Sequence, residues 1–303
     1  MPVLVFGSVN ADLVFALPEL PAPGRTVLGP GYAALPGGKG ANQAVAAARD
    51  GAAVGFAGAI GRDPLAEVAL SGLRGAGVDL SRLAVVEAAP TGCAAICVDA
   101  AGRNQIAVAS GANLLARAAQ VEDAALTPAT TLLLQMEVPA AETASLVLRA
   151  RARGARVVLN LAPAAELPEE ALRALDLLVA NEHEAAWLAA RLGCPAEAAA
   201  LHRALGGAGV AVTRGEAGVE AAAAAGAWHQ PALPVRVVDS TGAGDAWCGV
   251  LAAALDRGLP LPLAMRRAGA AAALACTRPG AAAAMPEAGE TQAALDLSRN
   301  IGP

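Results

Sequence analysis

Two carboxylates, Asp239 and Asp245, bracket the small residues Ser-Thr-Gly-Ala-Gly, and a long apolar stretch follows directly. The pattern predicts a strand over Val235–Val238 entering this loop and a helix over Ala246–Leu255 leaving it. The first amides of a helix have no intrahelical partner, so a glycine-rich entry offers them to an anion. A carboxylate there would repel the anion. Asp245 makes chemical sense as a base that takes a proton from a hydroxyl attacking a phosphorus atom. The competing account is structural: a first-turn aspartate favoured by the helix dipole, with the glycines forming a tight turn. On this loop alone both accounts stand.

Other segments offer polar groups of the kinds a small polyhydroxy ligand and a nucleotide need. Pro36-Gly-Gly-Lys39-Gly-Ala-Asn42-Gln43 precedes a helical stretch. It lacks the spacing of a P-loop, and the first strand does not run into a dinucleotide-binding G-x-G-x-x-G. Its glycines would let backbone approach a ligand, with Asn42 as donor and acceptor. Lys39 is the only lysine, against 21 arginines; a tight site or plain composition would each explain it. Asp12 and Glu137 follow strand-like runs, where they are either acceptors for sugar hydroxyls or ordinary exposed acids. Asn181-Glu-His-Glu184 reads first as a capping box, with a pair that organises magnesium-bound water as the functional alternative. Thr213-Arg-Gly-Glu-Ala-Gly218 is either a nucleotide rest or a glycine-rich hairpin. His183, His202 and His229 have no metal spacing and read as structural or surface residues.

These residues need a frame. Val3–Val9, Val54–Ala57, Thr131–Gln135, Val157–Asn160, Leu177–Ala180 and Val210–Thr213 read as short buried strands. Helical stretches intervene at Gly40–Arg49, at Pro64–Arg74, and near Leu146, Ala171, Leu188 and Leu201. That alternation predicts an α/β fold, a doubly wound, mainly parallel sheet with helices on both faces, in one domain over 1–303. Ligands in such sheets bind beyond the carboxyl ends of the strands, and Asn10, Asn160, Asn181, Thr213 and Asp239 fall at such ends. Two segments break the alternation. Residues 12–36 hold five prolines, and Thr91–Val108 reads as two strands joined at Asp99–Gly102. Both are either strands of a small lid, over 12–36 and 91–110, or an ordinary long loop and an edge hairpin.

Composition narrows the class. With 55% hydrophobic residues, mean hydropathy +0.47 and formal net charge −5, the chain is a poor binder of nucleic acid or anionic membrane. No apolar run reaches the ~20 residues of a membrane span, and the first residues carry no basic leader. The five cysteines lack CxxC spacing, consistent with a reduced, cytoplasmic chain.

Together, Gly7–Asp12, Pro36–Val45, Ser110–Asn113, Gln135–Glu137, Asn160–Ala164, Asn181–Glu184 and Asp239–Asp245 resemble the ribokinase family of sugar kinases over nearly the whole chain. The resemblance implies ATP-dependent phosphorylation of the primary hydroxyl of a pentose, foremost O5 of D-ribose. By analogy Asn10, Asp12, Gly38, Lys39, Gly40, Asn42 and Glu137 would bind the sugar. Asp245 would be the base, with the Ala243 and Gly244 amides in the anion hole. Asn181, Glu184, Thr213, Arg214, Gly215, Glu216, Ala217, Gly218 and Gly244 would face ATP, Glu184 acting through Mg2+ or another divalent cation. A K+ site would fall on Asp239, Thr241, Ala275, Arg278, Gly280 and Ala284, where alanine at 284 lacks the side-chain oxygen expected there. Gly269 replaces a histidine that often lines the adenine pocket. The lid would pair two subunits into a homodimer. A nucleoside kinase or a noncatalytic sugar-binding regulator on the same scaffold are the alternatives.

Overall fold

The first strand, β1 (Pro2–Phe6), is apolar on both faces because it lies at the centre of a sheet. Val3 and Val5 join one core cluster, and Leu4 and Phe6 the other. The computed structural model describes residues 2–300. After β1 come β2 (Asn10–Ala16), β3 (Tyr32–Gly37), α1 (Lys39–Arg49), β4 (Ala53–Gly61), α2 (Leu65–Gly75), β5 (Asp79–Val86), β6 (Gly92–Val98) and β7 (Asn104–Ala109). The chain continues through β8 (Thr131–Leu134), α3 (Ala140–Ala152), β9 (Arg156–Asn160), α4 (Glu169–Arg173), β10 (Leu177–Asn181), α5 (Glu182–Leu192) and α6 (Ala198–Ala204). It closes with β11 (Gly209–Thr213), β12 (Val219–Ala223), β13 (Gly226–Gln230), α7 (Ala243–Asp256), α8 (Leu261–Ala275) and α9 (Ala288–Asn300).

Among the described residues these strands form two sheets. The main one has the order β13-β12-β11-β10-β9-β8-β1-β4-β5 and is parallel except at β12 and β13. Helices α1, α2, α7 and α8 cover one face, and α3 to α6 the other. From β1 the chain winds outward to β4 and β5, then returns to β8 and winds the opposite way. The β1/β8 boundary is therefore the topological switch point, where a crevice opens beyond the carboxyl ends. The second sheet, β3-β2-β6-β7, stands apart as the lid.

Alanine sets the spacing of the helices nearest that crevice. Ala41, Ala44, Ala46 and Ala47 of α1 are buried in the core cluster that α7 shares. At Gly249 the two helices meet so closely that an added Cβ would lie 2.3 Å from the Gln43 carbonyl oxygen. Side chains at the start of α1 consequently reach the first turn of α7.

Several sequence expectations need correction. Val235–Val238 is not a strand: Pro231 and Pro234 lack donors, and Val238 N–H bonds the Cys276 carbonyl at the end of α8. Asp239 thus leaves a loop, not a strand. The first lid strand begins at Asn10, so Asn10 and Asp12 lie inside β2 rather than at the end of β1. The edge strands β5 and β13, and helices α8 and α9, were not anticipated. No described helix is long and apolar enough to cross a membrane.

Candidate active site

The site forms where the lid, the switch-point loops and the first turns of α1 and α7 converge. Gly7–Val9 follow β1, and Ser8 Oγ donates to Glu137 Oε2 at 2.6 Å, just past β8. The same carboxylate oxygen accepts the Lys39 amide at 3.0 Å. Gly40 N–H donates to Ser8 Oγ at 3.2 Å. Glu137 therefore caps the entry to α1 from a position nearly a hundred residues away, and its bonds to Ser8 and Lys39 use only Oε2. Asn10, buried in β2, accepts Asn113 Nδ2 at 2.7 Å, and Asn113 Oδ1 takes the Val9 amide at 2.9 Å.

Asp12 lies against Gly37 on the neighbouring lid strand. A Cβ at 37 would sit 2.1 Å from Asp12 Oδ2, so the glycine leaves room for the carboxylate. Burial, reinforced by Glu137 and Asp245, raises the Asp12 pKa from 3.8 to about 6.

Asp245 is the third residue of α7 and is buried. Its Oδ2 accepts Asn42 Nδ2 at 3.1 Å, and its Oδ1 accepts Gln43 Nε2 at 3.0 Å. Burial raises its pKa; Lys39, Gln43 and Asn42 pull it back, and Glu137 pushes it up. The next turn of α7 carries Cys248, whose thiol burial holds far above its ordinary range. For Lys39, burial alone would favour the neutral amine, but Asp245, Glu137 and Glu184 outweigh it and keep the ammonium above its usual pKa. Three carboxylates, Asp245, Glu137 and Glu184, act on that one cation, and Asp12 in turn feels Glu137 and Asp245.

At the α7 N-terminus the Gly244 amide has no partner among the described residues, and space is open around Gly244. The Ala243 amide makes a long bond of 3.2 Å to Ser240 O, so it is only loosely committed. One free and one weakly held N–H at a helix start suit an incoming anion.

Asn181 and Glu184 form the capping box: Asn181 Oδ1 accepts the Glu184 amide at 2.9 Å and Glu184 Oε2 accepts the Asn181 amide at 2.8 Å. The structural account is therefore correct for these two. It leaves Glu184 Oε1 uncommitted, and Glu184 is also half-buried, with its pKa raised by burial and eased back by the Asn181 amide and Lys39. Thr213 pairs with Asn181 across β10 and β11. Past it, Gly215–Ala217 make a single exposed turn, while Arg214 bonds Glu182 at 3.3 Å and Glu220 at 3.0 Å. Among the described residues no hydrogen bond ties Thr213, Arg214, Gly215, Glu216, Ala217 or Gly218 to the carboxylate cluster.

Of the residues expected to hold a monovalent cation, Asp239, Thr241 and Gly280 are joined by hydrogen bonds. Asp239 Oδ1 accepts the Thr241 amide at 2.9 Å and Oδ2 the Gly280 amide at 2.8 Å, tying the loop before α7 to the loop after α8. Those bonds hold its pKa down in spite of burial, which works the other way. Arg278 turns its guanidinium to Glu290. Ala275 and Ala284 are buried and offer only main-chain oxygens.

Sequence reasoning missed Gln43, Gln135 and Asn160 as members of the Asp245 network, and Ser8 and Asn113 as supports for Glu137 and Asn10. Each lay within a motif already singled out, yet nothing local marks an amide as facing a carboxylate.

Comparison with known proteins agrees with this geometry. A model of the pfkB family of carbohydrate kinases matches residues 2–288. The chain is 36% identical to a ribokinase of Bacillus subtilis over 300 residues, covering 97% of this chain and 99% of that one. Among solved structures, a ribokinase from Thermotoga maritima superposes with a TM-score of 0.89 at 33% identity, covering 97% of this chain and 99% of that one. A ribokinase of Arabidopsis thaliana, complexed with ribose and ATP, gives 0.86 at 30% identity, with 97% and 98% covered. Family match, fold and the assembled crevice agree: the chain belongs to the pfkB family of carbohydrate kinases.

Proposed function

We propose that this ATP-dependent carbohydrate kinase transfers the γ-phosphate of ATP to O5 of D-ribose, with Asp245 as the proton acceptor. The observation that carries the reading is Asp245 itself. It is a buried carboxylate beside an unpartnered helix amide, and Asn42 at the start of α1 holds one of its oxygens. Asn10, Asp12, Gly38, Lys39, Gly40, Asn42 and Glu137 would enclose the pentose. As O5 approaches phosphorus, Asp245 draws off its proton. The Gly244 and Ala243 amides and the start of α7 stabilise charge on the transferred oxygens.

Asn181, Glu184 and the Thr213–Gly218 turn would face the nucleotide. Three carboxylates against one lysine repel a polyanion, so the donor set fits a divalent cation near Glu184 Oε1. When bound, Mg2+ would neutralise phosphate charge. K+ would rest on carbonyl oxygens of the loops that Asp239 joins, a donor type suited to that ion. The exposed apolar residues Tyr32, Ile106 and Val108 on the lid support pairing of two chains there.

Asp245→Asn tests the assignment. Loss of a general base costs typically ~10²–10⁴ in rate, so kcat should fall by at least that order. Near-normal kcat would remove Asp245 from this role. ADP release measured with ribose, other pentoses, fructose and nucleosides should be fastest with ribose. Preference for a nucleoside would reassign the acceptor, and ribose binding without turnover would indicate a regulator.

A further inference from the structure

Gln43 and Gln135 are both fully buried, so they reach the site from the protein interior. Every polar position of the Gln43 amide is committed. Nε2 donates to Asp245 Oδ1 at 3.0 Å and to Asn160 Oδ1 at 3.1 Å. Oε1 accepts Gln135 Nε2 at 2.8 Å. Asn160 in turn donates to Val179 O at 3.4 Å, anchoring the chain of amides to the sheet. A flipped Gln43 would put its carbonyl oxygen against the Asp245 carboxylate, and Gln135 opposes the flip by donating to that oxygen.

The geometry points to Gln43 as a positioning residue for the proton acceptor, kept in orientation by Gln135. This rests on the reading of Asp245 as the base. Asn42, on the ligand side, holds one carboxylate oxygen, and Gln43 holds the other from within. The interior bond aims the carboxylate and favours its ionised form in a site whose burial opposes ionisation. Without it, Asp245 takes up a proton at higher pH and turnover loses its base sooner on acidification.

The test is kcat against pH between about 5 and 9, with ribose and ATP saturating and ADP measured directly, for Gln43→Met, Gln135→Met and the double variant. Methionine keeps the length and removes the amide. A hydrogen bond to a charged group is worth enough to shift a pKa by about one unit. The acid limb of Gln43→Met should therefore move up by about one pH unit, with a smaller loss of kcat on the alkaline plateau. Gln135→Met should move it the same way by less, and the double variant no further than Gln43→Met, because Gln135 acts through Gln43. A limb that stays in place, or a kcat reduced by one factor at all pH values, overturns the assignment. If Gln43→Met does not accumulate folded, Gln135→Met decides alone: an unmoved limb overturns it. Asp245→Asn is run alongside. If that variant keeps its kcat, the base reading fails and the positioning role with it. If it loses turnover while the Gln43→Met limb stays put, only the positioning role fails.

Discussion

Asp12→Asn should make a worse kinase and a more stable protein. Asp12 titrates at 3.8 when unperturbed and at about 6 in the folded chain. A folded pKa above the unfolded one means that the native state holds the proton more tightly, so the carboxyl costs stability as pH rises through that window. The cost is RT ln[(1 + 10^(pH − 3.8))/(1 + 10^(pH − 6))], with both values as given for Asp12. It comes to about 3 kcal/mol at pH 7, about 1.6 at pH 5 and about 0.5 at pH 4. Asparagine has the same shape and never ionises, so it escapes the cost. At ~2 °C per kcal/mol for a chain of this size, Tm should rise by about 6 °C at pH 7 and by ~1 °C at pH 4. Ribose KM should rise ~10–100-fold, the worth of a hydrogen bond to a charged acceptor. Thermal unfolding of both proteins without sugar at the three pH values, with ribose kinetics at pH 7, checks this. A variant no more stable at pH 7, or a gain that does not shrink with acid, refutes the argument that the lid carboxylate is held at a loss for the sake of the ligand.

Two further outcomes follow from the packing. Gly37→Ala would set a methyl group 2.1 Å from Asp12 Oδ2; the carboxylate must swing away, so ribose KM should rise about tenfold or more, a loss of ~1.4 kcal/mol. An unchanged KM would show that Asp12 does not need its present place. Asp50, at the far end of α1, is buried between Arg257 and Arg267; Asp50→Ala should cost ~3–5 kcal/mol by chemical denaturation. The kcat of the folded fraction should stay near normal, since α1 puts ~16 Å between this cluster and Lys39.

How far the sequence could be read follows from the range of each signal. The start of α7 and the Asn181–Glu184 box were legible because caps and helix dipoles act within one turn. The parallel order was legible because strands buried on both faces are apolar throughout. Strand β5, at the sheet edge, mixes Asp79, Ser81 and Arg82 into its length and so lost that signature. Val235–Val238 kept the residue types of a strand but had no neighbouring edge to join. The amides behind Asp245 were out of reach for another reason. Gln43 on α1, Gln135 after β8 and Asn160 on β9 meet only once two helices and the sheet have packed, and alanine spacing in α1 does not announce which side chain it delivers.

Lys39 has a consequence for anyone handling this protein chemically. It is the only side-chain amine in the chain, and it stands inside the crevice among the groups that would hold both substrates. Acylating dyes, carbamylation, aldehyde fixation and amine-coupled surfaces, which spread harmlessly over many lysines in most proteins, have no other lysine to consume here. Its neighbouring carboxylates keep it protonated and slow to react. A lysine adduct would therefore report that the interior of the site had been entered.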